Sequence, residues 1–176
     1  MMKRLLAGVL LSAALVAPAF AALKPGAIAP DFTVKAALAG QDYNFSLKNE
    51  LKKGPVVLYF FPAAFTAGCT LEAHLFAEAT DEFKKQGATV IGVTAGNIER
   101  VAEFSKSECR DKFAVAADPG AQIAKQFDAV SATRPNMSSR TSFVIGKDGK
   151  ILEAYTDANP NKHVEMTMAA VKAAKG

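Results

Sequence analysis

The sequence predicts an α/β fold, with a mixed central β-sheet, helices on both faces and a β-hairpin at its N-terminal end. Three observations carry this reading. Residues 56–61 are a continuous apolar run of β-branched and aromatic side chains, the pattern of a strand buried on both faces, and residues 88–94 (ATVIGVT) read as a second buried strand. Each is followed by apolar residues at helical spacing, and helix-linked strands imply parallel crossovers. Late in the chain, residues 141–145 and 151–156 are joined through Lys147-Asp148-Gly149-Lys150, whose Asp-Gly pair signals an antiparallel hairpin.

In chain order, residues 1–21 read as a removable leader. Lys3 and Arg4 precede an apolar run, residues 5–16, and Ala19-Phe20-Ala21 is a small-x-small cleavage site. A membrane anchor is the competing reading, but the run is short and Pro18 interrupts it. Residues 22–176 then form one domain, long enough for a real core. A Pro/Gly-rich entry segment, residues 23–30, leads into two short runs, 31–38 and 43–47. They flank Ala39-Gly40-Gln41-Asp42 as a hairpin. Ser46 is placed to cap a short helix ending at Lys53, and Gly54-Pro55 stops it before the strand 56–61. Leu71, Leu75, Phe76, Ala79 and Phe83 recur at helical spacing, so residues 70–86 form an amphipathic helix that Gly87 ends. The strand 88–94 follows, then a turn at Ala95-Gly96-Asn97 and a helix over 98–109. A short strand, 113–117, closes at Asp118-Pro119-Gly120 and gives way to a short helix, 121–127. Residues 129–140 are polar and loop-like. The hairpin 141–156 and a terminal helix, 161–174, complete the chain.

Composition excludes some functions. The formal charge is +4, but two of the 21 basic side chains lie in the leader. Without them 19 face 17 acidic ones, a net charge of +2. No basic run supports nucleic-acid binding. With two histidines and two cysteines far apart, neither a metal site nor a cofactor is implied. Beyond the leader no stretch is apolar enough to span a bilayer. A leader of bacterial type points to the periplasm, an oxidising compartment where two cysteines could form a plain structural disulfide.

The chemistry concentrates in the turn between the strand 56–61 and the next helix. It holds Pro62, Thr66, Gly68 and Cys69. A helix start offers unpartnered N–H groups and the positive end of the helix dipole. Both stabilise a thiolate, the reactive form of cysteine. A free cysteine is also a common core filler, but the junction and its Pro/Thr company favour a redox or nucleophile site. Pro62 alone reads equally as a strand end, Thr66 as a helix cap, and Arg140 as a solvated loop residue. Glu72, one turn after Cys69, would disfavour the thiolate unless an arginine balances it. His74 invites a Cys–His pairing, but five helical residues carry it about 140° away from Cys69, so it reads as structural or surface. His163, in a polar helix start, reads as solvent-facing.

The spacing Pro62-x-x-x-Thr66-x-x-Cys69, with Arg140 immediately before the strand 141–145, resembles the active-site signature of the peroxiredoxins. Phe60-Phe61-Pro62 and Thr66-Ala67-Gly68-Cys69-Thr70 resemble its bacterioferritin-comigratory, or Q-type, group. The resemblance runs from about Lys24 to Ala174 and implies a thioredoxin-like fold. It implies a thiol peroxidase acting on hydrogen peroxide and organic hydroperoxides. Cys69 would be peroxidatic, Thr66, Pro62 and Arg140 would shape and polarise its pocket, and Gly68 would add backbone donors. Glu72 would steady the arginine. Many Q-type members carry a resolving cysteine where this chain has His74, a departure. Cys109 fits a subtype with that cysteine on the following helix, which implies an intramolecular Cys69–Cys109 disulfide, recycling by a thioredoxin-like periplasmic reductant, and a monomer.

Four other readings stay open. A Cys-x-x-Cys disulfide reductase is disfavoured because position 72 is Glu. A 1-Cys peroxidase would use an external thiol. A non-enzymatic periplasmic domain would keep a permanent Cys69–Cys109 staple. Redox sensing or holdase activity is compatible with the peroxidase reading.

Overall fold

The computed structural model describes residues 22–174, so the expected leader lies outside the described residues. The chain runs β1 (Thr33–Leu38), β2 (Gln41–Ser46), α1 (Leu47–Leu51), β3 (Val56–Ala63), α2 (Ala67–Lys85), β4 (Thr89–Gly96) and α3 (Val101–Ser107). It continues through β5 (Ala114–Ala117), α4 (Gln122–Gln126), β6 (Val130–Ser131), β7 (Arg134–Ser138), β8 (Thr141–Ile145), β9 (Ile151–Thr156) and α5 (His163–Ala173).

Seven strands form one mixed sheet in the order β2-β1-β5-β4-β3-β8-β9. The run β3-β4-β5 is parallel, and its outer neighbours β1 and β8 are antiparallel to it. β3 is flanked on both sides, which is why residues 56–61 are apolar without alternation: every one of them is fully buried. Val56, Leu58 and Phe60 face one apolar cluster with Phe127 and Phe143, closed by α1 and α4. Val57, Tyr59 and Phe61 face a second one, closed by α2, α3 and α5 through Phe76, Phe83, Phe104 and Val171. Each such side chain contributes roughly 1.5–3 kcal/mol on burial. Both cysteines belong to the second cluster. Tyr59 sits at its centre, stacked on Phe76 with ring centroids 4.4 Å apart. Its neighbour across the ladder is Gly92, where a Cβ would lie 2.7 Å from the tyrosine ring.

Several expectations need correction. The N-terminal turn shrinks to two residues: Ala39 and Gly40 take φ of 52° and 77°, and pairing starts at Gln41. Ser46 precedes α1 but makes no side-chain cap. β3 does not stop at Phe61 but runs on through Pro62 and Ala63. The buried face of α2 passes through Cys69, Glu72, Ala73, Phe76, Thr80 and Phe83, which leaves Leu71 exposed. The helix placed over 98–109 opens as a 3-10 turn, Ile98–Arg100, and its α-helical part ends at Ser107, short of Cys109. The helix placed over 121–127 likewise starts late. The buried Asp118 carboxylate accepts from the Ile123 and Ala124 N–H groups and so serves as its cap. The stretch 129–140 is not all loop, since β6 and β7 pair as a small ribbon apart from the main sheet. No helix among the described residues is long and apolar enough to cross a membrane.

Candidate active site

The site is built where β3 hands the chain to α2. Pro62 and Ala63 pass beside Gly96 of β4, where a Cβ would fall 2.6 Å from Ala63 Cβ and 2.7 Å from the Pro62 oxygen. The next turn is pinned by Ala64 N–H to the Gly96 carbonyl (3.2 Å) and by Asn97 Nδ2 to the Ala64 carbonyl (2.7 Å). Phe65 then takes a left-handed φ of 62°, a strain of roughly 1–3 kcal/mol for a residue with a Cβ. Packing holds it there. Its ring meets Phe104 edge-on at 5.1 Å, and the Arg100 guanidinium lies over it at 3.8 Å. This left-handed step aims the chain into α2.

Thr66 occupies the N-cap position of α2 without a side-chain cap. Its Oγ1 donates instead to the Ala63 carbonyl at 3.0 Å. That corrects the reading of Thr66 as a side-chain cap, because its hydroxyl proton is already committed. Cys69 follows on the first turn, 1% exposed. Its Sγ accepts from Arg140 Nη2 at 3.5 Å. Gly68 makes that approach possible, since a Cβ there would sit 3.1 Å from Nη2.

Arg140 is held by three partners. Nε donates to the Ala158 carbonyl (3.0 Å), one terminal nitrogen to Glu72 Oε2, and the other to Cys69. Burial opposes its charge, yet Glu72 and Cys69 together raise its pKa. Glu72 lies fully buried behind it. Burial pushes the carboxyl up to about 8, against the pull of Arg140. Its other oxygen, Oε1, has no hydrogen-bond partner. The site thus holds a thiol, a cation and a buried carboxyl on one line.

His163 departs most from expectation. It is not solvent-facing but fully buried. Nε2 donates to the Asp157 carbonyl (3.0 Å), so in the neutral ring Nδ1 accepts from the Ser142 hydroxyl (2.7 Å). Nδ1 also lies 3.6 Å from Glu72 Oε1. Burial lowers the histidine pKa. Sequence reasoning missed both His163 and Ser142. No local signal marks either, because the polar start of the terminal helix hides the burial of His163.

Cys109 stands apart from this line. It follows α3, fully buried, with its N–H on the Phe104 carbonyl (3.0 Å) and left-handed residues Arg110 and Asp111 after it. Burial, and then the Glu108 charge, push its thiol pKa well up. Both cysteines are free thiols. His74 points away from Cys69, as its helical position implies, and pairs with Glu108 at 2.8 Å. Two ion pairs continue the row beyond this hydrogen bond, Glu78–Arg110 at 3.3 Å and Asp81–Lys112 at 2.9 Å. Residues 74, 78 and 81 share one stripe of α2, so the stretch around Cys109 is fastened along that helix. Among the described residues no group of three His, Cys, Asp or Glu side chains could hold a metal.

Residues 25–154 match the AhpC/TSA family. Peroxiredoxin Bcp of Escherichia coli (strain K12) is 31% identical over 156 residues, covering 85% of this chain and 96% of its own length. The chain is a peroxiredoxin. The chloroplastic peroxiredoxin Q of Gentiana triflora is likewise 31% identical over 156 residues, 88% of this chain and 70% of that protein. The crystal structure of peroxidoxin BcpB from Mycobacterium tuberculosis superposes with a TM-score of 0.77 at 28% identity, covering 86% and 97% of the two chains. The fold is therefore the thioredoxin-like one of the peroxiredoxins, and the chemistry is that of a thiol-based oxidoreductase and peroxidase.

Proposed function

We propose that this peroxiredoxin reduces hydrogen peroxide and organic hydroperoxides through Cys69, that Cys109 resolves the oxidised sulfur, and that a thioredoxin-like periplasmic donor regenerates both thiols. One observation carries the reading: Arg140 places a guanidinium N–H 3.5 Å from a buried sulfur on the first turn of a helix. A permanent cation and the helix dipole both favour a thiolate there. The thiolate attacks one peroxide oxygen, the S–O bond forms and the O–O bond breaks. Sulfur is oxidised by two electrons. The departing oxygen takes a proton and leaves as water or an alcohol. Arg140 stabilises the charge developing on it. Thr66, its own proton given to Ala63, is left as an acceptor for the peroxide hydrogen. Pro62 lines the turn without an N–H to compete for substrate.

The sulfenic acid then reacts with the Cys109 thiol, forming a disulfide and releasing water. Both sulfurs are buried in one apolar cluster, and in this reading the first turn of α2 and the segment after α3 open for them to meet. A reductant of dithiol type takes up the disulfide by exchange. Full burial of Cys109 and its raised pKa favour a second reading, in which an external thiol attacks Cys69 directly. The monomeric state belongs to the same proposal.

Mass analysis of the reduced protein after one equivalent of hydrogen peroxide separates these readings. Loss of two hydrogens, mapped to a Cys69–Cys109 crosslink, is expected. One added oxygen on Cys69 with Cys109 still free would favour the external thiol. Cys69→Ser should abolish peroxide consumption. Cys109→Ser should retain a single turnover but fail to recycle with a thioredoxin-type donor. Unimpaired recycling by Cys109→Ser would remove Cys109 from the mechanism.

A further inference from the structure

The fully buried Glu72 oxygen Oε1 has no hydrogen-bond partner. An anionic oxygen left without a donor in a protein interior is costly, so a charged Glu72 needs a proton brought to that side. On that side stands His163, whose Nδ1 lies 3.6 Å away. The ring cannot swing off, because Nε2 is tied to the Asp157 carbonyl and Nδ1 to Ser142, and Tyr155 packs edge-on at 4.9 Å.

We propose that His163 is a positioning residue for the peroxide chemistry at Cys69: with Glu72 it holds one proton behind Arg140, and that proton turns the arginine charge toward the sulfur. The inference rests on the peroxidase reading of Cys69. Charge balance supplies the reason. With the proton present, Glu72, His163, Arg140 and a Cys69 thiolate sum to zero, whichever of the first two carries it. Without the proton the same buried group carries a net negative charge, which disfavours the thiolate. Burial moves the two in opposite directions, raising the carboxyl to about 8 and lowering the imidazole, and so disfavours the charged form of each. The other groups facing the pair are Tyr59 beside Glu72, whose phenol burial pushes well up, and Tyr155 and Asp157 beside the histidine. Tyr59 is therefore neutral across the working range. Asp157 keeps its charge, with its pKa lowered by bonds from Asn159 N–H and the Tyr155 hydroxyl.

The test is the pH dependence of Cys69 alkylation by iodoacetamide in the reduced protein, followed by peptide mass mapping, which requires no peroxide. In His163→Phe the midpoint is expected to rise by about one pH unit. Alkylation and peroxide reduction at neutral pH should both fall about tenfold. His163→Gln, which can still donate to Oε1, should recover most of the rate. A folded His163→Phe protein with an unmoved midpoint overturns the inference. If His163→Phe does not fold, ¹⁵N shifts of the imidazoles decide, since the chain has only two histidines. The His163 signal should shift in Glu72→Gln, and an unchanged signal overturns the inference equally. A wild-type protein that alkylates as expected but consumes no peroxide would instead refute the peroxidase reading.

Discussion

At the scale of single residues the site is a chain of compensations. Cys69 gains a cation, the cation gains a carboxylate, and the carboxylate is buried deeply enough to retain a proton. The stability consequence has a definite sign. Folding raises the Glu72 pKa from 4.5 to about 8. Between those values the folded protein keeps a proton that the unfolded chain has released. The associated stability is complete at low pH and is lost as pH rises toward 8. The slope is at most about 1.4 kcal/mol per pH unit. His163 acts oppositely: its pKa falls below 6.5, so its contribution is lost as the solution is acidified. Urea unfolding from about pH 6 to about pH 8 should show a falling midpoint in the wild type and a flatter profile in Glu72→Gln. Equal slopes in the two proteins would mean that Glu72 titrates normally. Of these residues, Cys69, Arg140, Glu72 and Gly68 were legible in the sequence and do come together. His163 was not. Its neighbours Asn161 and Lys162 are polar, and its burial arises from packing against Ser142 and Tyr155, which no local pattern encodes.

At the scale of elements, the strands read best where burial is two-sided. Residues 56–61 form a strand legible from a continuous apolar run, and residues 141–145, though they open on Thr141-Ser142, are likewise buried throughout. The β6–β7 ribbon was hidden because Arg134-Pro135-Asn136-Met137 has neither alternation nor an apolar face, and the ribbon stands outside the main sheet. The face of α2 was misjudged for a related reason. Spacing favoured Leu71, while tertiary packing buried Glu72 and Thr80 instead. The row His74–Glu108, Glu78–Arg110, Asp81–Lys112 was equally unreadable, since it joins two segments about thirty residues apart. The Arg110 and Lys112 pairs are exposed, so each is weak and screened by salt, while His74–Glu108 is half-buried. Together they fasten the stretch around Cys109, the one that would move in the proposed resolution of Cys69. Raising ionic strength from about 0.05 to about 0.5 M should therefore speed disulfide formation severalfold and change sulfenic acid formation much less. Glu108→Gln at low salt should produce part of the same acceleration. Quenched-flow mass analysis reads both steps, and a salt-independent resolution rate would show that the row does not restrain Cys109.

At the scale of the whole molecule, both thiols belong to one apolar cluster under one face of the sheet. A crosslink there differs from an ordinary structural disulfide. Under the proposed resolution by Cys109 it would form by opening segments that the reduced protein keeps packed, so native packing would be lost as the unfolded chain is constrained. The oxidised protein should melt below the reduced one, by roughly 5 °C or more, and a dithiol should reverse the change. A higher melting temperature on oxidation would mean that the two sulfurs meet without unwinding. The position of Tyr59 has a practical consequence of a different kind. The chain contains no tryptophan and three tyrosines, and Tyr59 is the one fully buried, in the same cluster as both sulfurs. Its ultraviolet emission is not masked by a brighter indole, and sulfur is an effective quencher. Tyrosine emission is therefore expected to respond to oxidation of those sulfurs, a change that a fluorescence titration with peroxide would read without a dye or a label.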